Sequence, residues 1–178
     1  MFGHRRQAIP LKVVAASMAQ VALMPLESPS DEDLQFRGQA VSTGVDQCRF
    51  TLEVIALQAF AMTAAMNRER VEGRLSLEKV QILVREFLLA IHKRLVETST
   101  YDLRQLGLDP DEAFEVFSNR ADRYSKPGWG QGTIEDIPRF FAEFCGVPDS
   151  ATLQQIGSYL VFVRGDLSGG WLRSIKIV

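Results

Sequence analysis

The feature that most constrains this chain is a segment at residues 46–71 that contains neither proline nor glycine. Its middle, residues 54–66, reads VIALQAFAMTAAM and is apolar on nearly every side when it is wound as a helix. A helix that is apolar all round has to be buried by its neighbours. The segment therefore predicts one long central helix, and its many alanines would let neighbouring backbones approach it closely.

Helix start and stop signals punctuate the rest of the chain. Almost no alternation of apolar and polar residues, the pattern typical of strands, occurs before residue 172. The sequence predicts an all-α, single-domain bundle of about six or seven helices, with a long buried central helix and a short extended C-terminal tail. The expected N-caps are Ser30, Ser76, Asp109, Thr133 and Ser150, and the expected helix ends are Gly73, Gly107 and Gly146.

Three regions are expected within the 178 residues. Residues 1–29 indicate an N-terminal apolar arm or a weak helix, and residues 30–164 form the helical core. Residues 165–178, which are rich in glycine at their start, indicate a glycine turn followed by an extended tail. The first region begins with a short basic stretch and then turns apolar, so it also resembles a weak export signal, although Pro10 and Lys12 interrupt the apolar run.

The helix expected at residues 77–97 carries two apolar surfaces. At about 100° per residue, most of its leucine, isoleucine, valine and phenylalanine side chains fall on one broad face. Ile82 and Leu89 form a second, smaller apolar spot, which predicts a second packing partner for this helix. His92 lies on a polar strip beside Arg85, where a surface histidine is expected and a general base is the alternative.

The overall composition narrows the classes of function. The formal net charge is −2, so no bulk positive field attracts nucleic acid. No run reaches the roughly 18 apolar residues that a membrane-spanning helix needs. The two cysteines, Cys48 and Cys145, are too few for a disulfide framework and fit a reducing compartment. We therefore expect a cytoplasmic protein without a membrane span and without a nucleic-acid partner.

The sequence lacks the motifs that would announce catalysis or a cofactor. Glycines at 128, 130 and 132 have the spacing G-x-G-x-G, which matches neither the dinucleotide fingerprint nor the phosphate loop. The only histidines are His4 and His92 and no C-x-x-C occurs, which excludes the usual di-iron and structural zinc patterns. We predict no metal, no cofactor and no catalytic residue, and we expect Cys48 and Cys145 to be buried.

The segment NRADRYSKPGW, residues 119–129, combines cations with aromatic rings. Arginines beside aromatic residues are typical of partner and ligand sites. The alternative is that both arginines bridge the neighbouring acids Glu112, Glu115 or Asp122 at the surface. The indole of Trp129 is expected to be buried against Tyr124. The candidate partner- or ligand-binding residues are Arg120, Arg123, Tyr124, Lys126, Trp129, Ile82, Leu89 and His92.

Three functions are open at this point. The first is a non-enzymatic helical protein that binds another chain, most simply a second copy of itself as a homodimer, through its excess apolar helix surface. The second is a binder of a small apolar ligand held between helices. The third is an enzyme whose site is assembled only by the fold, from Glu53, Glu86, His92 and Arg120. The residues that indicate an apolar ligand cavity are Phe60, Met62, Met66, Phe87, Phe114 and Phe117.

Overall fold

The computed structural model of the chain describes residues 6–97, 113–126 and 134–178. Helices account for nearly all regular structure in these ranges, which confirms the predicted all-α bundle with a long central helix. The α-helices are α1 (Leu11–Glu27), α2 (Asp31–Ser42), α3 (Gln47–Val71), α4 (Leu77–Glu97), α5 (Ala113–Lys126), α6 (Ile137–Cys145), α7 (Ala151–Ser158) and α8 (Gly165–Ser174). The remaining elements are β1 (Gln7–Ile9), a 3₁₀ turn (Ile134–Asp136), a π-helical segment between α7 and α8 (Tyr159–Arg164) and β2 (Ile175–Ile177).

Helix α3 is the centre of the molecule. Every residue from 50 to 62 is buried, and α1, α2, α4, α5, α6, α8 and the π-helical segment all contact this helix. By length and mean apolarity alone α3 would be long enough to cross a membrane, but 83% of its most apolar window is buried inside the fold. It therefore has the surroundings of a core helix, and its neighbours supply the cover that an all-round apolar helix requires.

The helix ends lie where the capping signals predict them. Ser30 forms a capping box with Asp33, and the backbone N–H groups of Lys79 and Leu153 donate to the hydroxyls of Ser76 and Ser150. Gly73 and Gly146 follow the ends of α3 and α6 with φ angles of 72° and 93°. These left-handed conformations favour glycine because it has no Cβ atom. The caps expected at Asp109 and Thr133 and the end expected at Gly107 lie outside the described residues.

The glycine turn predicted after residue 164 is wrong. The helical path that begins with α7 continues through the π-helical segment into α8 and ends only at Ser174, and the extended part of the tail is β2. The reason is that α8 packs against α3 and buries Gly169 and Leu172. A Cβ atom on Gly165 would lie 3.5 Å from that of Ala61, and one on Gly169 would lie 3.9 Å from that of Ala65, both ordinary van der Waals distances. Burial against α3 offsets the poor helix propensity of glycine, about 1 kcal/mol per residue.

The N-terminal segment is a helix of the core and not an arm. Val14, Met18 and Leu23 of α1 are buried, and the helix packs against α3 and α4. A bidentate ion pair between Arg94 of α4 and Glu27 at the end of α1 joins the two helices. An apolar segment of this length buries its surface most readily against the chain to which it is already attached, since no second molecule has to be ordered.

A short parallel pairing joins the two ends of the described chain. Gln7 lies opposite Ile175 and Ile9 opposite Ile177, and the backbone N–H of Val178 donates to the carbonyl of Ile9 at 3.1 Å. Lys79 of α4 donates from Nζ to the carbonyl of Ile177 at 3.1 Å and so covers part of the outer edge of β2. Strands of three residues are too short to show alternation, so the sequence pattern contained no signal for this pairing.

We expect Gly157→Ala to destabilise the fold, because α7 and α6 pack closely at this glycine. A Cβ atom there would lie 3.1 Å from both the Cα atom of Pro138 and the Cβ atom of Phe141. Forcing the two helices apart should lower the free energy of unfolding by about 1–3 kcal/mol.

The matched control is Gly38→Ala inside α2, where a new Cβ atom would meet no atom within 4 Å. Alanine should raise the free energy of unfolding there by up to about 1 kcal/mol, because it is the better helix former. Urea unfolding measures both variants. Equal stability of Gly157→Ala and the wild type would contradict the close packing at this position.

Candidate functional site

Helix α3 carries two carboxylates and an amide into the core, and each is met by an arginine from elsewhere in the chain. Glu53, Gln58 and Glu69 are 0%, 3% and 2% exposed. A buried polar group costs free energy unless it is hydrogen-bonded, and a buried charge costs more unless it is also paired. The surroundings of these three residues therefore show where the fold is most constrained.

Glu53 holds together the first cluster, which lies between α3 and α5. Arg120 and Arg123 both bind its Oε1 atom, Arg123 with an Nη2–Oε1 distance of 2.8 Å, and the hydroxyl of Tyr124 donates to Oε2 at 3.0 Å. The guanidinium of Arg123 also lies over the ring of Phe144, 4.2 Å from its centroid. Arg120, Arg123 and Tyr124, which the sequence grouped together, all bind this one buried carboxylate, which is distant in sequence. Of the surface partners expected for the two arginines, Glu112 lies outside the described residues.

The carboxylate and the phenol of the Glu53 cluster are buried and chemically unreactive. Glu53 is completely buried, so no substrate can reach its carboxylate. Burial, reinforced by the negative charge of Glu53, raises the pKa of Tyr124 well above its ordinary value and the pKa of the Cys145 thiol to about 12. Both groups stay protonated at neutral pH and are poor nucleophiles, because the thiolate is the reactive form of cysteine. Cys145 is buried as expected, whereas Cys48 is half-buried.

The structure places the four residues considered for an enzyme site on three helices. Glu53 and Arg120 bind each other, but Glu86 lies on α4 and contacts Arg85 at 3.1 Å, and His92 is half-buried on the same helix. Within the described ranges, no group of three histidine, cysteine, aspartate or glutamate side chains could hold a metal ion. Lys126 is the last residue of α5, and its side chain, like all of Trp129, lies outside the described part of the structure.

Glu69 is the centre of a second structural cluster. Arg74, in the turn between α3 and α4, binds both of its carboxylate oxygens, and Arg173 of α8 approaches Oε1 at 3.8 Å. Arg74 also contacts Glu72. The cluster holds the beginning of α4 and the end of α8 against α3.

Gln58 belongs to a third cluster, which begins at a proline inside α1. Pro25 has no backbone N–H, so the carbonyl of Val21 lacks its helical donor. In the amide orientation that satisfies both of its neighbours, Gln58 donates to this carbonyl at 3.3 Å and accepts from Nη1 of Arg164 at 2.7 Å. Nη2 of Arg164 binds Glu32 and Asp33 of α2, each at 2.8 Å. One arginine therefore links α2, α3 and, through Gln58, α1.

Asp33 serves both the helix cap and this cluster. Burial opposes the ionised form of its carboxyl group, but hydrogen bonds from the Ser30 hydroxyl and backbone, together with Arg164, outweigh burial and lower the pKa below 3.8. The carboxylate is therefore ionised at neutral pH. With Glu32 it places two negative charges beside the single positive charge of Arg164.

An apolar groove begins beside the third cluster. One pocket of about 240 Å³ includes Ser30, Asp33, Gln58 and Arg164 in its lining, and an adjoining pocket of about 280 Å³ is lined mainly by apolar side chains. The two pockets have Val21, Met62, Leu167 and Ser168 in common. We call this continuous depression the α1–α8 groove. Its charged side chains and the Gln58 amide lie at one end. Its other lining residues, which are mainly apolar, are Ser17, Met18, Met24, Ala61, Leu160, Gly165 and Trp171.

The π-helical segment forms one wall of the polar end. Leu160 and Arg164, both within this segment, line the first pocket, and Gly165 follows directly. π-Helical turns are rare and occur frequently at functional sites. Of the residues predicted to bind a partner or ligand, Ile82 and Leu89 are exposed on α4, away from this groove. Of the aromatic and methionine residues expected at a cavity, Met62 lines the groove, whereas Phe60, Met66 and Phe87 are in the core. The side chains of Phe114 and Phe117 lie outside the described part of the structure.

The sequence indicates Ser30 only as a helix cap, and no motif marks Asp33, Gln58 or Arg164 as residues of a binding site. Two signals were present. Gln58 is a polar residue in an otherwise apolar stretch, and Pro25 lies in a segment that reads as helical. Neither signal names its partner, because Arg164 is more than a hundred residues away from both.

We expect Glu53→Gln to destabilise the fold, because it leaves two arginines without their counter-charge. Removal of one member of a fully buried pair costs about 3–5 kcal/mol. Arg120 and Arg123 are 27% and 39% exposed and can be partly hydrated, so a loss of about 2–3 kcal/mol is expected. Thermal and urea unfolding measure the change. The control is Glu143→Gln on the exposed side of α6, for which a change within about 0.5 kcal/mol is expected. An equal loss in both variants would contradict a special role of Glu53.

Asp33→Asn should lower stability at neutral pH, and its effect should fade in acid. The pKa of Asp33 is lowered in the folded state, so its ionised form stabilises the fold above the unfolded value, near 3.8, and this contribution is lost as pH falls through the folded pKa. We expect a loss of about 1–2 kcal/mol at pH 7 that shrinks below about pH 4. Asp31→Asn, exposed in the same helical turn, is the control. A difference that stays constant from neutral pH into strong acid would contradict this role of the Asp33 charge.

No protein-family model matches the chain. Searches of the curated proteins and of the solved structures likewise give no match. The function has therefore to be inferred from the groove and the surfaces of the molecule itself.

Proposed function

We propose that this protein binds a small molecule with an apolar body and an uncharged or positively charged polar head in the α1–α8 groove. The observation that carries the proposal is the layout of the groove, whose two adjoining pockets have charged groups and an amide at one end and mainly apolar side chains along the rest. Ligand sites are typically concave, mainly apolar and equipped with a few convergent polar groups.

The apolar part of the groove leaves hydrophobic surface in contact with water. Val21 and Met24 of α1 are 46% and 40% exposed, and Leu167 of α8 is 67% exposed. Covering such surface contributes about 25 cal/mol per Å². A ligand that lies along α1 and α8 would remove these three side chains from water, which supports an aliphatic or aromatic body for the ligand.

The polar end supports a particular class of head group. The charge of Arg164 is already compensated by Glu32 and Asp33, so the cluster as a whole carries one net negative charge. A ligand carboxylate placed there would meet that charge in a partly desolvated site. A hydroxyl or an ammonium group avoids this repulsion, and Ser30 and Asp33 offer oxygen atoms to it.

Calorimetric titration with three probes that share one octyl chain tests the proposal. Octanol and octylammonium should bind, and nonanoate should bind at least about tenfold more weakly, a difference of about 1.4 kcal/mol. Equal binding of all three would refute the head-group assignment and leave an unselective apolar groove. Absence of binding by all three would refute the proposed function.

Two variants of one helix provide the matched control. Val21→Phe places extra bulk in the part of the groove that both pockets have in common and should weaken octanol binding at least about tenfold. Val13→Phe makes the same change on α1 at a residue that is 51% exposed and lines neither pocket, so binding should be unchanged. An equal effect of the two variants would place the probe elsewhere on the protein.

The other two functions expected from the sequence stay predictions. Binding of another protein chain is supported by a different surface, the exposed apolar pair Ile82 and Leu89 on α4. An enzyme that uses Glu53, Glu86, His92 and Arg120 is supported only by the contact between Glu53 and Arg120.

A further inference from the structure

Helix α4 has an exposed stripe opposite its buried face. Ile82 and Leu89 are 36% and 48% exposed and lie seven residues apart, which places them two turns from each other on one side of the helix. The opposite side is packed inside the bundle, where α4 contacts α1, α3 and α5. The buried residues are Val80, Leu83, Phe87, Ile91 and Leu95. The apolar spot therefore has no partner among the described residues, although the sequence predicts one.

The order of side chains along this stripe is self-complementary. The apolar residues Ile82 and Leu89 lie at equal distances on either side of the midpoint between Arg85 and Glu86. Arg85 and Glu86 flank this midpoint, and further out the exposed Glu78 and the exposed Lys93 also lie at equal distances from it. Reversing the helix therefore places apolar opposite apolar and each charge opposite its counter-charge. We call these six residues the α4 stripe.

We propose that the α4 stripe is the interface of a homodimer, in which α4 of one copy packs antiparallel to α4 of a second copy. A two-fold axis through the midpoint of the stripe makes every contact occur twice, as in other isologous interfaces. Ile82 of each copy then packs on Leu89 of the other, and Glu78 of each copy lies near Lys93 of the other. A parallel arrangement would place Glu78 against Glu78 and Lys93 against Lys93.

Arg85 and Glu86 can exchange partners in this arrangement. Within one chain, Nη2 of Arg85 lies 3.1 Å from Oε1 of Glu86, and the Arg85 side chain is 68% exposed. At the two-fold axis each arginine comes close to the glutamate of both copies, so the intrachain pair becomes a four-membered charge network. The charges set the orientation of the helices, while the apolar pair supplies most of the buried surface.

The interface is small, so the dimer is expected to be in equilibrium with the monomer. Contacts in this size class are weak and transient. Sedimentation equilibrium of the full chain from about 1 µM to about 1 mM covers the expected range of dissociation constants. A monomer throughout this range would overturn the proposal.

Leu89→Glu tests whether the stripe is the interface. The substitution puts a charge on the apolar contact and should raise the dissociation constant at least about tenfold. Because Leu89 is half-exposed, the thermal unfolding profile should stay close to that of the wild type. Leu34→Glu is the matched control, at a leucine of α2 that is also 48% exposed and is not part of the stripe. A dimer that is unaffected by Leu89→Glu, or weakened equally by both variants, would overturn the proposal.

Charge exchange tests the antiparallel orientation. Glu78→Lys and Lys93→Glu should each weaken the homodimer, because each creates like-charged contacts in duplicate. The two variants mixed with each other should form a heterodimer, and the double variant should recover the association of the wild type. A parallel pairing predicts no weakening by Glu78→Lys, so an unchanged dissociation constant for this variant would overturn the antiparallel arrangement.

Discussion

The burial of α3 is the constraint on which the rest of the structure depends. This helix is enclosed on nearly all sides, yet it carries two carboxylates and an amide into the core. Each of these groups would cost several kcal/mol if it were left unpaired. Arginines satisfy both carboxylates and bond to Gln58. The arginines of Glu53 and Gln58 come from distant parts of the chain, whereas Arg74 follows Glu69 in the next turn, and together these pairs hold α5, the start of α4, the end of α8 and the α7–α8 helical path against α3.

The α1–α8 groove follows from the same constraint. Pro25 deprives a carbonyl of α1 of its donor, Gln58 supplies one, and Arg164 joins Gln58 to the two acids of α2. Gly165 of α8 has no side chain that could occupy the groove, so the apolar side chains beside it remain accessible. A polar end and an apolar channel thus arise from pairing and from close packing, and together they define the class of ligand that we propose.

Local signals predicted the helices well, and long-range pairings were beyond them. Ser30, Ser76 and Ser150 cap helices as expected, because capping depends on residues within one turn. The glycines from Gly165 onward predict a turn because glycine is a poor helix former, but the segment is helical because it packs against α3. Arg120, Arg123 and Tyr124 could be grouped from the sequence because they lie on one helix, but their common contact, the buried carboxylate of Glu53, is about seventy residues away and could not be predicted.

The sequence by itself determined the fold class, the central position of α3, the helix starts and the self-complementary order of side chains along α4. All of these depend on periodicity and on neighbours within a few residues, which can be seen directly in the amino-acid sequence. Only the tertiary structure decided that Glu53 binds α5, that Gln58 meets Arg164 and that the α1–α8 groove has one polar end. Those contacts join residues that are tens to more than a hundred positions apart. A buried polar group needs a hydrogen-bond partner, but this need does not specify which distant arginine will provide it.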